Sequence, residues 1–309
     1  MYYYVKFNDI ILLEIKLIEV FKIKYFNLIV ILMVVLFGSG CNNMDVFSAE
    51  QCEQNWAICI INDSQVVNLS GSKVKVAILD SGINSELEIL QNKIKETYNT
   101  IEKSSVTNDE YGHGTMVASI IAANPNSHTI IGVNPNVEIY DVQVLNHRGG
   151  GRIEDLVEGI KWSINKNVDI INMSFGYPKD DPRLKEVIEL ALSKNIIIVA
   201  SAGNTLGLST EYPAKYKGVY SISAVEQNLN NYKLAAKGKI DFVAPGVNIP
   251  VINHEGEKLF ESGTSLSTAY ATGIISVVKS STKTNKEIKI VSKNIGDKEK
   301  FGKGLLKIK

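Results

Sequence analysis

From Lys73 onward the chain alternates between short, unbroken apolar runs and segments with helical spacing. No other feature limits the fold as much. VKVAILD (74–80), VEIYDVQVL (137–145), VDIINMSFG (168–176), IIIVASAGN (196–204), GVYSISAV (218–225) and IDFVAPG (240–246) read as strands. GTMVASIIAA (114–123), IEDLVEGIKWSINK (153–166), LKEVIELALSKN (184–195) and TSLSTAYATGIISVVKSS (264–281) read as helices. A strand that is apolar on both faces needs cover on both, and intervening helices supply it. The pattern predicts an α/β fold: a doubly wound, mostly parallel sheet with helices on both faces. Ligands of such sheets sit beyond the C-terminal strand ends. Asp80, Ser174 and Asn204 fall there.

The length permits one such domain plus a targeting segment, or two small domains. The chain has 309 residues, 45% apolar and 21% charged, an ordinary globular mix. Lys and Arg together number 33, as do Asp and Glu, so no basic excess is available for a nucleic-acid partner. The expected division is 1–40 targeting segment, 41–70 linker, and 71–309 folded domain, acting as a monomer.

Residues 25–37, YFNLIVILMVVLF, form an apolar run behind Lys22 and Lys24, followed by Gly38, Ser39, Gly40 and Cys41. A basic start, a short apolar run and small residues match a secretory signal. The run falls short of the roughly 20 apolar residues of a membrane-spanning helix. The stretch ending at Cys41 resembles a bacterial lipoprotein cleavage box, in which Cys41 becomes the lipidated terminus. Gly38 stands where such boxes carry an aliphatic residue, and a simply cleaved signal or an uncleaved anchor stays open. Asp9, Glu14 and Glu19 are unusual in a signal and fit a start codon placed too early. The expected location is extracellular or at the cell surface, with membrane attachment through the N-terminus. The three cysteines, Cys41, Cys52 and Cys59, lack zinc-site spacing. With Cys41 lipidated, Cys52 and Cys59 are left as a disulfide or as two free thiols.

Three segments carry the chemistry. AILDSGIN (77–84) places Asp80 at a strand end. YGHGTMVASIIA (111–122) places His113 between two glycines at a helix start. ESGTSLSTAYATG (261–273) places Ser265 at another helix start. Singly each has a bland explanation; the order Asp, His, Ser does not. With these blocks the sequence resembles the subtilisin-like (S8) serine protease family, from about Trp56 to near the C-terminus. The resemblance implies a serine endopeptidase acting on a peptide or precursor-protein substrate. Ser265 is the nucleophile, His113 the general base and Asp80 the residue that orients it. SAGN (201–204) resembles the family segment whose Asn side chain holds the oxyanion, which makes Asn204 catalytic.

The resemblance also implies the substrate cleft. Gly149, Gly150 and Gly151, together with Ser174, Phe175 and Gly176, would flank an extended substrate as added strands. Glu211, just before Tyr212-Pro213, would lie at the floor of the pocket for the residue preceding the scissile bond (P1) and favour Lys or Arg there. No cofactor is expected, and calcium, which often stabilises this family, stays open. The loop 124–129 resembles a family calcium loop, but Ile89 stands about where that site's carboxylate is expected.

About 30 residues separate Cys41 from the first strand, whereas secreted degradative relatives usually carry a longer folded prodomain there. This resembles the small bacterial proteases that remove leader peptides from lantibiotics. A general extracellular protease is the second reading, and a catalytically silent peptide-binding protein the third. An esterase of another α/β fold predicts a G-x-S-x-G elbow, which GTSLS lacks.

Overall fold

The computed structural model describes residues 55–62, 72–124, 130–282 and 288–308. These belong to one unit of the chain, Met44–Lys309. The targeting segment, Cys41, Cys52, most of 41–70 and residues 125–129 of the 124–129 loop lie outside the described residues. Cys59 is disulfide-bonded, and its partner also lies outside them.

After a short helix, α1 (Trp56–Ile61), β1 (Val74–Asp80) is buried at every position but Lys75. Then come β2 (Ile94–Asn99), α2 (His113–Ala122), β3 (Val137–Gln143), α3 (Ile153–Asn165) and β4 (Ile170–Met173). Next are α4 (Pro182–Ser193), β5 (Ile197–Ser201), β6 (Tyr220–Val225), β7 (Phe242–Pro245) and an antiparallel hairpin, β8 (Ile249–Ile252) and β9 (Lys258–Glu261). The chain closes with α5 (Thr264–Ser281), β10 (Val291–Lys293), α6 (Lys298–Phe301) and β11 (Leu305–Lys307).

Nine of these strands form one sheet in the order β10-β11-β7-β6-β5-β4-β1-β3-β2, parallel except for the β10–β11 pair. The predicted α/β architecture is therefore present. Helices cover both faces. Val117, Ile121, Ala269 and Ile274 of α2 and α5 pack with Val76 and Ile78 of β1. Leu156, Ile160, Leu184 and Ile188 of α3 and α4 pack on the other face with Leu79 and Ile171. Each of these Val, Leu and Ile side chains, fully buried, contributes roughly 1.5–3 kcal/mol of transfer free energy.

Two details position the site. The helix α5 is rich in Ser, Thr, Ala and Gly, so it lies close on the sheet, and Ser267 Oγ donates to the Ala244 carbonyl at 3.0 Å. Thr272 Oγ1 donates to Asn172 Oδ1 on β4 at 2.7 Å. The parallel register sets Leu79 opposite Met173 and Met173 opposite Ala200. The residues just beyond, Asp80, Ser174 and Ser201, therefore emerge side by side, with strands spaced about 4.8 Å apart.

Candidate active site

Asp80 is fully buried, and its Oδ1 accepts from His113 Nδ1 at 2.7 Å and from the Ser81 N–H at 2.8 Å. That bond leaves His113 Nε2 as the nitrogen free for substrate chemistry. His113 is the first residue of α2, and Gly112 before it has φ +86°. A Cβ at Gly112 would lie 2.5 Å from His254 Nδ1, and one at Gly114 2.1 Å from the Gly82 carbonyl oxygen. Gly114 thus lets the His113 turn press against the loop leaving β1, and Gly112 lets it press against His254, between β8 and β9.

Burial alone would lower the pKa of His113. The charge and hydrogen bond of Asp80, with Asp109 and Glu261 further off, outweigh it and hold the imidazole above its ordinary 6.5. Tyr111 lies beside His113, with ring centroids 6.2 Å apart.

Ser265 sits in the first turn of α5, where its backbone N–H has no carbonyl partner within the helix. Its Oγ donates to the Ser174 carbonyl at 2.6 Å, and Ser174 Oγ donates to the Ser265 carbonyl at 3.1 Å. The helix start is thereby fixed to the end of β4, beside Asp80. The hydroxyl is not hydrogen-bonded to His113. Such a link commonly forms only with substrate bound, and rotation about the Cα–Cβ bond redirects the hydroxyl.

Asn204 follows β5. Its Oδ1 accepts from the Thr264 N–H at 3.1 Å and the Thr264 hydroxyl at 3.0 Å. A backbone N–H only donates, so the amide oxygen must face Thr264. Asn204 Nδ2 is left as the free donor, 3.3 Å from where a Cβ on Gly263 would stand.

The expected cleft segments flank this row. Gly149 and Gly150 lie in a turn closed by Asn146, whose Oδ1 accepts from Arg148 N–H and Gly150 N–H at 2.9 and 3.1 Å. Gly151 bridges back to Leu145. Among the described residues, Phe175 and Gly176 make no backbone hydrogen bond, so this edge is free to pair with an extended chain.

Glu211 is held between the two strand ends. Its N–H donates to the Ala202 carbonyl at 3.0 Å, and the next residue pairs with Tyr177 at both backbone positions. Its Oε2 would lie 2.7 Å from a Cβ on Gly176 and 2.5 Å from one on Gly203. Burial raises its pKa, and no cation among the described residues pairs with it.

Sequence reasoning missed the buried acids behind the pair. Asp109, in the polar stretch NDEYG, reads as a solvated loop residue but is 3% exposed. Asp141, on β3, is 1% exposed. Its Oδ2 accepts from the Thr107 hydroxyl at 2.5 Å and Ile83 N–H at 3.2 Å, and its Oδ1 has no partner among the described residues.

Burial pushes the Asp141 carboxyl from 3.8 up to about 7, with Asp109 and Asp80 pushing the same way and the two hydrogen bonds opposing. An acid raised in the fold costs stability as pH rises from the unfolded value through the folded one, after which the cost is constant. About three pKa units set an upper limit of about 4 kcal/mol. Asp141→Asn mimics the protonated acid. In a Ser265→Ala background, which prevents self-digestion, it should raise the Tm at pH 9 by several degrees and leave it nearly unchanged at pH 4. A gain independent of pH would contradict this.

Of the loop 124–129, only Asn124 lies among the described residues. Ile89 is buried, Asn124 Nδ2 donates to the Glu88 and Gln91 carbonyls, and no cluster of metal-binding side chains occurs among the described residues. No step below uses a metal.

Fold and site together define a class. The model of the subtilase family (Peptidase_S8) matches residues 71–296, and the chain belongs to that family. It is 36% identical over 228 residues to a thermostable alkaline protease of Halalkalibacterium halodurans, covering 73% of this chain and 62% of that protein. It is 33% identical to an alkaline protease of Alkalihalobacillus alcalophilus over 77% of this chain and 64% of that protein. It is also 33% identical to subtilisin BL of Lederbergia lenta over 77% of this chain and 90% of that protein. The chain thus spans less than two thirds of the length of the first two relatives.

Proposed function

We propose that the protein is a serine endopeptidase that cleaves an extended peptide after a Lys or Arg residue. The observation that carries the activity is the 2.7 Å link between His113 and Asp80, on the strand edge to which Ser265 is tied. Ser265 Oγ turns from the Ser174 carbonyl to attack the substrate carbonyl carbon. His113 Nε2 takes its proton, and Asp80 stabilises the imidazolium. The carbonyl electron pair moves onto oxygen, where Asn204 Nδ2 and the Ser265 N–H receive it. As the C–N bond breaks, His113 returns the proton to the leaving amine. Water then repeats the sequence and frees Ser265.

Glu211 carries the substrate preference. It is a half-buried, unpaired carboxylate between the segments that would hold the substrate, and a P1 Lys or Arg would supply the missing cation. That selectivity suits processing of a precursor peptide, of the lantibiotic type, better than general degradation. The N-terminal segment would place the enzyme at the cell surface, and mass spectrometry of the mature protein decides how Cys41 takes part. With peptides differing only at P1, Arg should exceed Leu and Phe in kcat/KM. Glu211→Ser should remove roughly 10–100-fold of that preference, the worth of one charged hydrogen bond. Equal or faster cleavage after Leu or Phe by the native protein would refute the preference.

A further inference from the structure

We infer that Asp109 is a positioning residue for the Asp80–His113 pair, joining the loop that leaves Asp80 to the helix start that carries His113. This rests on the serine endopeptidase reading. Asp109 is buried and its carboxylate accepts four hydrogen bonds. Oδ1 takes the Ser81 hydroxyl and the Gly112 N–H, both at 2.7 Å. Oδ2 takes the Thr115 N–H at 2.9 Å and the Thr115 hydroxyl at 2.6 Å.

The direction of every bond is fixed. Ser81 Oγ accepts from the Gly114 N–H at 3.0 Å, so its proton points to Asp109. Thr115 Oγ1 accepts from the Asn84 N–H at 3.0 Å, so its proton does too. Four donors converge on one side chain, and a carboxylate is the only one with four acceptor positions and no proton to place. An asparagine would set an NH2 against two of those donors.

The contacts fall on either side of the pair. Ser81 follows Asp80 and donates its own N–H to the Asp80 carboxylate. Gly112, Gly114 and Thr115 surround His113 in the first turn of α2. Gly112 has no side chain to cap that turn, and Asp109 with Ser81 takes over the capping from outside the helix. The helix start is thereby registered against the strand end, which sets the Asp80–His113 separation. Asp109 also adds charge near the imidazole, supporting the upward shift of His113. The groups facing His113 are Asp80 from β1, Asp109 from the preceding loop, Glu261 from β9 and the ring of Tyr111, with His254 lying against Gly112.

The test uses the full chain and a small fluorophosphonate, whose reaction with Ser265 needs a neutral His113 but no P1 side chain. Its labelling rate is measured from pH 5 to 9 for wild type, Asp109→Asn, Ser81→Ala and Thr115→Val, with the Tm of each. Asp109→Asn should slow labelling at saturating probe by roughly 10–100-fold, the scale of a misplacement of about 1 Å. Its acid-limb midpoint should move to lower pH, with little change in half-saturation. Ser81→Ala and Thr115→Val, which keep the charge, should slow labelling less and leave the midpoint in place. They carry the test if Asp109→Asn does not fold. A lowered Tm with unchanged rate and midpoint would make Asp109 merely structural and overturn the inference. Failure of folded wild type to label would overturn the underlying endopeptidase reading instead.

Discussion

Ser265→Ala should lower kcat by about 10⁶, the scale on which the triad of this family acts, and leave the fold in place. Ser265 is half-buried, and its side chain makes one hydrogen bond, to the Ser174 carbonyl. Its removal costs on the order of 1 kcal/mol, or a few degrees in Tm at this size. Ser174 Oγ still anchors the helix through the Ser265 backbone carbonyl, so geometry is not what is lost. The residual rate would come from Asn204, the helix N–H groups and substrate binding. The check is hydrolysis of an Arg-P1 peptide alongside a thermal melt. Activity within tenfold of wild type would mean that another group attacks the peptide bond.

Asp80→Asn should cost about 10⁴ in kcat. One carboxylate oxygen takes both the His113 and Ser81 bonds, so an amide oxygen in its place can preserve the contacts but not the charge. The imidazolium formed during attack then lacks its counter-ion. The opposite amide orientation puts an NH2 against His113 Nδ1 and selects the wrong tautomer. The pH profile separates this from loss of fold. Asp80 holds the His113 pKa above 6.5, and only neutral His113 acts as base. Wild-type kcat/KM should therefore fall as pH drops through that raised value. Without the charge the limb should move to lower pH, so the deficit is largest at alkaline pH and narrows under acid. An unmoved limb would show that Asp80 does not govern His113.

What the sequence revealed follows from how strongly each element is buried. The strand β1 and helix α5 announce themselves because continuous apolar or small-residue runs have no use except against other elements. The edge strand β2 (IKETYN) is largely polar and half-exposed, and β9 (KLFE) is exposed at all four positions. Neither shows an apolar run, and neither was foreseen. The helix α4 begins at Pro182, behind an Asp181 cap, two residues before its apolar periodicity starts. Sheet register brings together the strand ends that precede or carry Asp80, Ser174 and Asn204, and the helix starts carrying His113 and Ser265 are tied to them through Asp80 and Ser174. Sequence order alone does not reveal that Ser265 rests on Ser174, or that Asn204 is turned by Thr264. Asp109 and Asp141 were illegible for a different reason. A buried carboxylate is recognised by its donors, and those donors are largely backbone N–H groups and hydroxyls scattered over 81–115.

The central claim is that Ser265 is a nucleophile activated by His113. Incubation of the full-length protein with a fluorophosphonate, followed by peptide mass mapping, measures this directly. The predicted result is one adduct, on the peptide containing Ser265, absent in Ser265→Ala and strongly slowed in His113→Ala. A folded protein with no adduct on Ser265, or with equal labelling in Ser265→Ala, would contradict it.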